Sequence, residues 1–159
     1  MFFVATAPNA GLINVSPKGY DSVRITDGNT IQFLDLTGSG AETIAHVTEN
    51  GRITFMWCGF EEKPNIVRAY GNATVHLLGS DGFAERRSCF GPTHGDRSII
   101  ETRVTRVSSS CGLSIPFYDY AGEREKLTEW AIRKGTEGVL DYQLEKNQTS
   151  IDGLSTGIG

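Results

Sequence analysis

The sequence predicts a mainly β domain, its strands forming a closed or half-closed antiparallel barrel with a few helices around it. Short runs rich in β-branched and aromatic residues recur through the first two-thirds of the chain. Nineteen glycines, a high count for 159 residues, fall mostly between those runs, where tight turns need them. Strands spaced this closely, with hairpin turns, favour antiparallel pairing over a βαβ sheet.

The elements follow in chain order. Residues 1–7, "MFFVATA", read as a first strand, and "APNAG" as a loop. "LINVS" (12–16) and "DSVRI" (21–25) are the next strands, and Asp27-Gly28 followed by Asn29 is a strong hairpin signal leading into "TIQFLDL" (30–36). "AETIAHVTEN" (41–50) reads as a helix closed by Gly51. "RITFMWCGF" (52–60) and "NIVRAYGNATVHLL" (65–78) are strands, the second bulged or sharply bent at Gly71. "SIIETRVTRVS" (98–108) is the last strong strand, which gives six to seven in a Greek-key-like order. "GEREKLTEWAIRKG" (122–135) places Leu127, Trp130 and Ala131 on one helical face and stops at Gly135, and residues 136–147 make a second short helix. The tail "SIDGLSTGIG" has no periodicity and is expected to fray or to lie on a neighbour. The chain reads as one domain, with the barrel over 1–108 and a helical extension and tail over 109–159.

Bulk properties narrow the function. A net charge of −4 disfavours a nucleic-acid binder, which wants a basic face. No apolar run approaches a membrane span, and Met1-Phe2-Phe3-Val4 carries no basic stretch of a signal peptide. Three cysteines without a CxxC pair fit free thiols in a reducing compartment, so a cytoplasmic location is expected. His46, His76 and His94 lack metal-ligand spacing, and Cys111 has no obvious base beside it. No Walker loop, GxSxG elbow or GxGxxG follows a strand. The chain shows no side-chain constellation for catalysis of its own.

Two stretches suit an anion. "NVSPKGYD" (14–21) carries Lys18 in what reads as a turn, and "LTGSGAE" (36–42) joins a strand to a helix start, where free N–H groups attract phosphate. Each has a plain alternative: an exposed turn lysine is commonplace, and Ser39 with Glu42 makes an S-x-x-E capping box. Together, a lysine and a helix N-terminus form a phosphate site if the two strand ends meet. Among Arg24, Arg52 and Arg68, the last stands out in an otherwise apolar run, and Trp57 reads as core packing.

The "NVSPKGYD" turn, the hairpin into "IQFLDLTGS", the helix closed by "ENGRITFMW" and the bent strand "IVRAYGNATV" together resemble the pyridoxamine 5′-phosphate oxidase-like family, over roughly residues 1–108. The resemblance implies an FMN-binding split β-barrel, a homodimer with cofactor sites at the subunit interface, and a small-molecule substrate. It assigns Lys18 to the flavin phosphate and Ser39 to the loop before the helix. It places backbone groups of Leu36, Thr37 and Gly38 beside the ring or ribityl chain, and counts Ser16 and Arg68 with the cofactor-binding residues. Ile13 stands where the oxidase pattern has an arginine, and Gly40, Ala41 and Glu42 replace a basic pair. Each charge-assisted hydrogen bond lost this way weakens binding by ~1.5–3 kcal/mol. The arginine–histidine motif that holds pyridoxal phosphate in true oxidases is missing from the tail. The implied activity is therefore an FMN-dependent oxidoreductase other than a true pyridoxamine 5′-phosphate oxidase. The alternative is a non-catalytic dimer that binds a planar ligand (flavin, haem or deazaflavin) for storage or sensing, or binds none.

Overall fold

The structure is a computed structural model describing residues 1–159. Seven strands form one antiparallel sheet: β1 (Phe2–Thr6), β2 (Asn14–Lys18), β3 (Val23–Asp27), β4 (Thr30–Leu36), β5 (Arg52–Cys58), β6 (Asn65–Leu77) and β7 (Asp96–Cys111). Three helices accompany it: α1 (Glu42–Asn50), α2 (Asp81–Arg87) and α3 (Lys126–Lys146). None is long and apolar enough to cross a membrane.

The strand order β2-β1-β5-β6-β7-β4-β3 corrects the expected barrel. β2 and β3 stand at opposite ends of the order with no ladder between them, so the sheet stays open and the split β-barrel is not formed. The sheet does curl. Phe2 on β1 meets Phe33 on β4 with ring centroids 6.1 Å apart, although three strands lie between them in the order. What fills the concave side is α1, whose Ile44 and Val47 join Val4, Phe33, Phe55 and Ile100 in one core. Each such large side chain contributes about 1.5–3 kcal/mol of apolar burial. With that face covered by a helix, the two five-residue edge strands have no need to pair. β2 suits an edge, because Pro17 lacks the N–H a central strand would use.

Several expected elements appear with shifted ends. β2 extends to Lys18, which is therefore the last residue of a strand and not a turn residue. The Asp27–Thr30 hairpin forms, with a bulge just before it. The β6–β7 register shifts at Tyr70/Gly71 as expected, and a Cβ at Gly71 would collide with the Arg103 carbonyl. α1 ends at left-handed Gly51, but its N-cap is Ala41 with no side-chain cap, so the Ser39–Glu42 box is not made. The Glu42 carboxylate instead accepts from the Ile151 amide at 3.1 Å. The tail is consequently held down, with Thr156 buried and Thr149 bridging Ser155. It does not fray. α3 breaks at Gly135 as expected, where the backbone leaves helical geometry.

Candidate functional site

Alternation along β2 turns Asn14, Ser16 and Lys18 inward and leaves Val15 and Pro17 exposed. The Asn14 amide donates to Thr43 Oγ1 at 3.2 Å in the first turn of α1. Lys18 Nζ donates to Asp35 Oδ1 at 3.3 Å near the end of β4. β2 thus touches the elements on either side of the β4–α1 connection. Ser16 lies between, its Oγ buried and without a partner.

Asp35 anchors a buried polar cluster. Arg97 of β7 approaches its Oδ2 with Nε at 2.9 Å and Nη2 at 2.8 Å, and Ser98 Oγ lies at 3.4 Å. Burial alone would raise the carboxyl, but attraction to Arg97 and Lys18, with their hydrogen bonds, holds it below the ordinary aspartate value. Two cations face one carboxylate, so the cluster keeps a net positive charge.

The "TGSG" loop is fixed from within. Thr37 N and Oγ1 both donate to the Gly95 carbonyl at 2.8 Å. Gln143 Nε2 in α3 donates to Thr37 Oγ1 at 2.7 Å, and Asn147 Nδ2 donates to the Gly38 carbonyl at 3.0 Å. Arg97 Nη1 donates to the Gly40 carbonyl at 2.8 Å. The Gly38 and Gly40 carbonyls are therefore taken, while the Gly38, Ser39 and Gly40 amides make no backbone hydrogen bond. Ser39 is exposed, and the space where a Cβ would stand on Gly38 is open. Leu36 turns its side chain into a second small core with Leu34, Phe83, Phe90 and Ile99, so only its backbone adjoins the loop.

Arg68 is not part of this arrangement. It pairs in register with Met56, and Met56 with Phe3, whereas Lys18 pairs with Phe2. Residues directly opposite in a ladder share a face, so Arg68 and Lys18 lie on opposite faces of the sheet. The Arg68 guanidinium donates to Ser110 Oγ at 3.2 Å. Lys18 also borders an open groove of about 1040 Å³, shared with Met1, Tyr20, Phe60, Tyr118 and Tyr120. Its far wall is tied on by Tyr20 Oη donating to the Arg124 carbonyl at 2.6 Å and by Tyr118 N donating to the Phe60 carbonyl at 3.2 Å. Tyr20 alone among non-glycine residues has a positive φ, 59°.

Four residues of the cluster go unnoticed in the sequence: Asp35, Arg97, Gln143 and Asn147. Asp35 had a readable signal. An acid inside the apolar run "IQFLDL" has to find a cation when the strand is buried. Gln143 and Asn147 gave none, since polar residues near a helix end are unremarkable.

A family model for pyridoxamine 5′-phosphate oxidase matches residues 1–111. The chain belongs to the pyridoxamine 5′-phosphate oxidase family. It is 33% identical over 174 residues to the pyridoxamine 5′-phosphate oxidase family protein ustO of Aspergillus flavus, covering 97% of this chain and 69% of that one. Among solved structures, a putative pyridoxamine 5′-phosphate oxidase from Lactobacillus delbrueckii aligns with TM-score 0.54 and 19% identity, over 67% of this chain and 82% of that one. A HupZ variant from Group A Streptococcus aligns with TM-score 0.53 and 21% identity, over 69% and 88%. At those identities the solved relatives speak for the fold of this oxidase-family chain.

Proposed function

We propose that this protein binds FMN and is an FMN-dependent oxidoreductase acting on a small molecule. The observation that carries the reading is the meeting of Lys18 with the "TGSG" loop through Asp35 and Arg97. The residues present fit a flavin phosphate. The cluster keeps a positive charge, Ser16 Oγ is a buried hydroxyl without a partner, and the Gly38, Ser39 and Gly40 amides make no backbone hydrogen bond. Arg97 brings a guanidinium to this region from β7, although the position of the family's arginine holds Ile13, which is 75% exposed. Lys18, Ser16 and the Gly38–Gly40 amides would hold the phosphate, and the Leu36–Thr37 backbone would adjoin the ribityl chain or ring.

When bound, FMN supplies the hydride and electron chemistry, and the chain supplies position and charge. The groove beside Lys18, walled by Tyr20, Phe60, Tyr118 and Tyr120, is the place for a planar substrate. A second copy belongs to this reading. Ile13, Val15 and Phe117 are 75%, 60% and 77% exposed, apolar side chains of the kind a homodimer interface would cover.

Titration with FMN, followed by quenching of flavin fluorescence, tests the reading. The parent protein should saturate in the micromolar range, and Lys18→Ala should weaken binding by about 1–3 kcal/mol. Its far-ultraviolet circular dichroism should be unchanged, since Asp35 keeps Arg97. A variant that binds FMN as tightly as the parent would remove Lys18 from the site.

A further inference from the structure

We infer that Asn147 and Gln143, at the end of α3, are positioning residues for the flavin-phosphate loop, holding it with its Gly38 and Gly40 carbonyls inward and its Ser39 amide free. The inference rests on the flavin reading above. Both side chains lie outside the stretch matched by the family model, residues 1–111, yet they hold a loop inside it.

Asn147 is fully buried and uses both ends of its amide. Nδ2 donates to the Gly38 carbonyl at 3.0 Å, and Oδ1 accepts from Arg97 Nη1 at 2.9 Å. The same Arg97 nitrogen donates to the Gly40 carbonyl, so one short chain of hydrogen bonds fixes two of the loop's carbonyls. Gln143 is 4% exposed and donates to Thr37 Oγ1 and to the Asp96 carbonyl. Asn147 is itself held by the tail, because Thr156 Oγ1 donates to its backbone carbonyl at 2.6 Å. Ordering a glycine-containing loop costs conformational entropy at every residue. A ligand that meets the loop already ordered avoids that cost and binds more tightly. A trans peptide points its N–H opposite to its carbonyl, so turning the Gly38 carbonyl inward directs the Ser39 amide, on the same peptide, outward.

The test is Asn147→Asp, which keeps the side chain's shape and its acceptor for Arg97 but loses the donor to Gly38. Glu145→Ala is the control, since Glu145 is exposed and pairs only with Lys146. Amide hydrogen exchange of residues 38–41 is measured without FMN, and FMN affinity by fluorescence quenching. In Asn147→Asp the loop amides should exchange about tenfold faster, with β5 and β6 unchanged. FMN should bind at least about tenfold more weakly, because a hydrogen bond to the loop is lost and the new carboxylate cancels the cluster's surplus positive charge; the exchange measurement isolates the loop's ordering from that charge. The control should match the parent in both. Unchanged exchange, or faster exchange with unchanged FMN affinity, overturns the positioning role. A parent protein that takes up no FMN overturns the flavin reading itself and leaves the loop without its ligand.

Discussion

Asp35 decides the electrostatics of the candidate site, because it is fully buried and shared by two cations. Replacing it with Asn would leave Arg97 buried without a counter-charge, which costs about 3–5 kcal/mol. Urea unfolding at neutral pH should show that loss. The pH dependence has a definite sign. Asp35 is held below its ordinary value, so its contribution is complete above the unfolded value and is lost as pH falls through the folded one. The parent should therefore lose stability progressively below about pH 5. A carboxamide cannot titrate in this range, so Asp35→Asn should lose less over the same interval; an equally steep decline would show that other carboxylates set the acid limit. At this scale the sequence was readable where local chemistry is decisive. Lys18 and the loop before α1 are linked through Asp35 and Arg97 because neighbouring elements carry them there. Arg68 could not be placed, since its face relative to Lys18 depends on register across three successive ladders, and a shift of one residue in any of them reverses it.

Elements with a strong local signal formed where the sequence put them, and Gly135 shows how local that signal can be. Its φ of 69° and ψ of 170° break α3, a conformation that side chains resist, and nothing lies within 4 Å of where a Cβ would stand. Gly135→Ala should thus cost about 1–3 kcal/mol through the backbone alone. Gly138 sits three residues further on, in helical geometry, where a Cβ would meet Lys134 at an ordinary 3.6 Å. Gly138→Ala should stabilise the protein by up to about 1 kcal/mol. Thermal melts of the two variants should therefore move in opposite directions, by about 2–4 °C per kcal/mol. A shared direction would mean that the kink is not held by the backbone of Gly135. α2 was less readable. It is only seven residues long, and its clearest mark is Ser80, whose hydroxyl accepts from the Phe83 amide. The capping box at Ser39 failed for a tertiary reason, since Glu42 is drawn to the Ile151 amide by a tail that shows no periodic signal.

For the whole molecule, the open sheet and the placing of the tail are the features that local pattern could not supply. Alternation along strands says that one face is buried, not whether another strand or a helix buries it, and here α1 takes that role. The same reasoning decides whether residues 109–159 form a separate layer or part of one cooperative unit. Gln143, Asn147 and Thr156 are buried and hydrogen-bonded to the β4–α1 loop, to Arg97 or to one another, and Ile158 lies against the main core. Removing that region would strip partners from a buried arginine, from the Gly38 carbonyl and from the Thr37 hydroxyl, so it should not unfold ahead of the sheet. The two tryptophans report on the two regions independently. Trp57 stacks on Phe55 beside the main core, with centroids 5.9 Å apart, and Trp130 packs edge-on against Tyr142 within α3 at 5.1 Å. Single-tryptophan variants, Trp130→Phe and Trp57→Phe, unfolded in urea should give equal midpoints once each is referred to its own circular dichroism transition. A Trp130 signal that changes before the circular dichroism transition would make the C-terminal region a separate, weaker unit, and the hold on the "TGSG" loop would then release before the sheet melts.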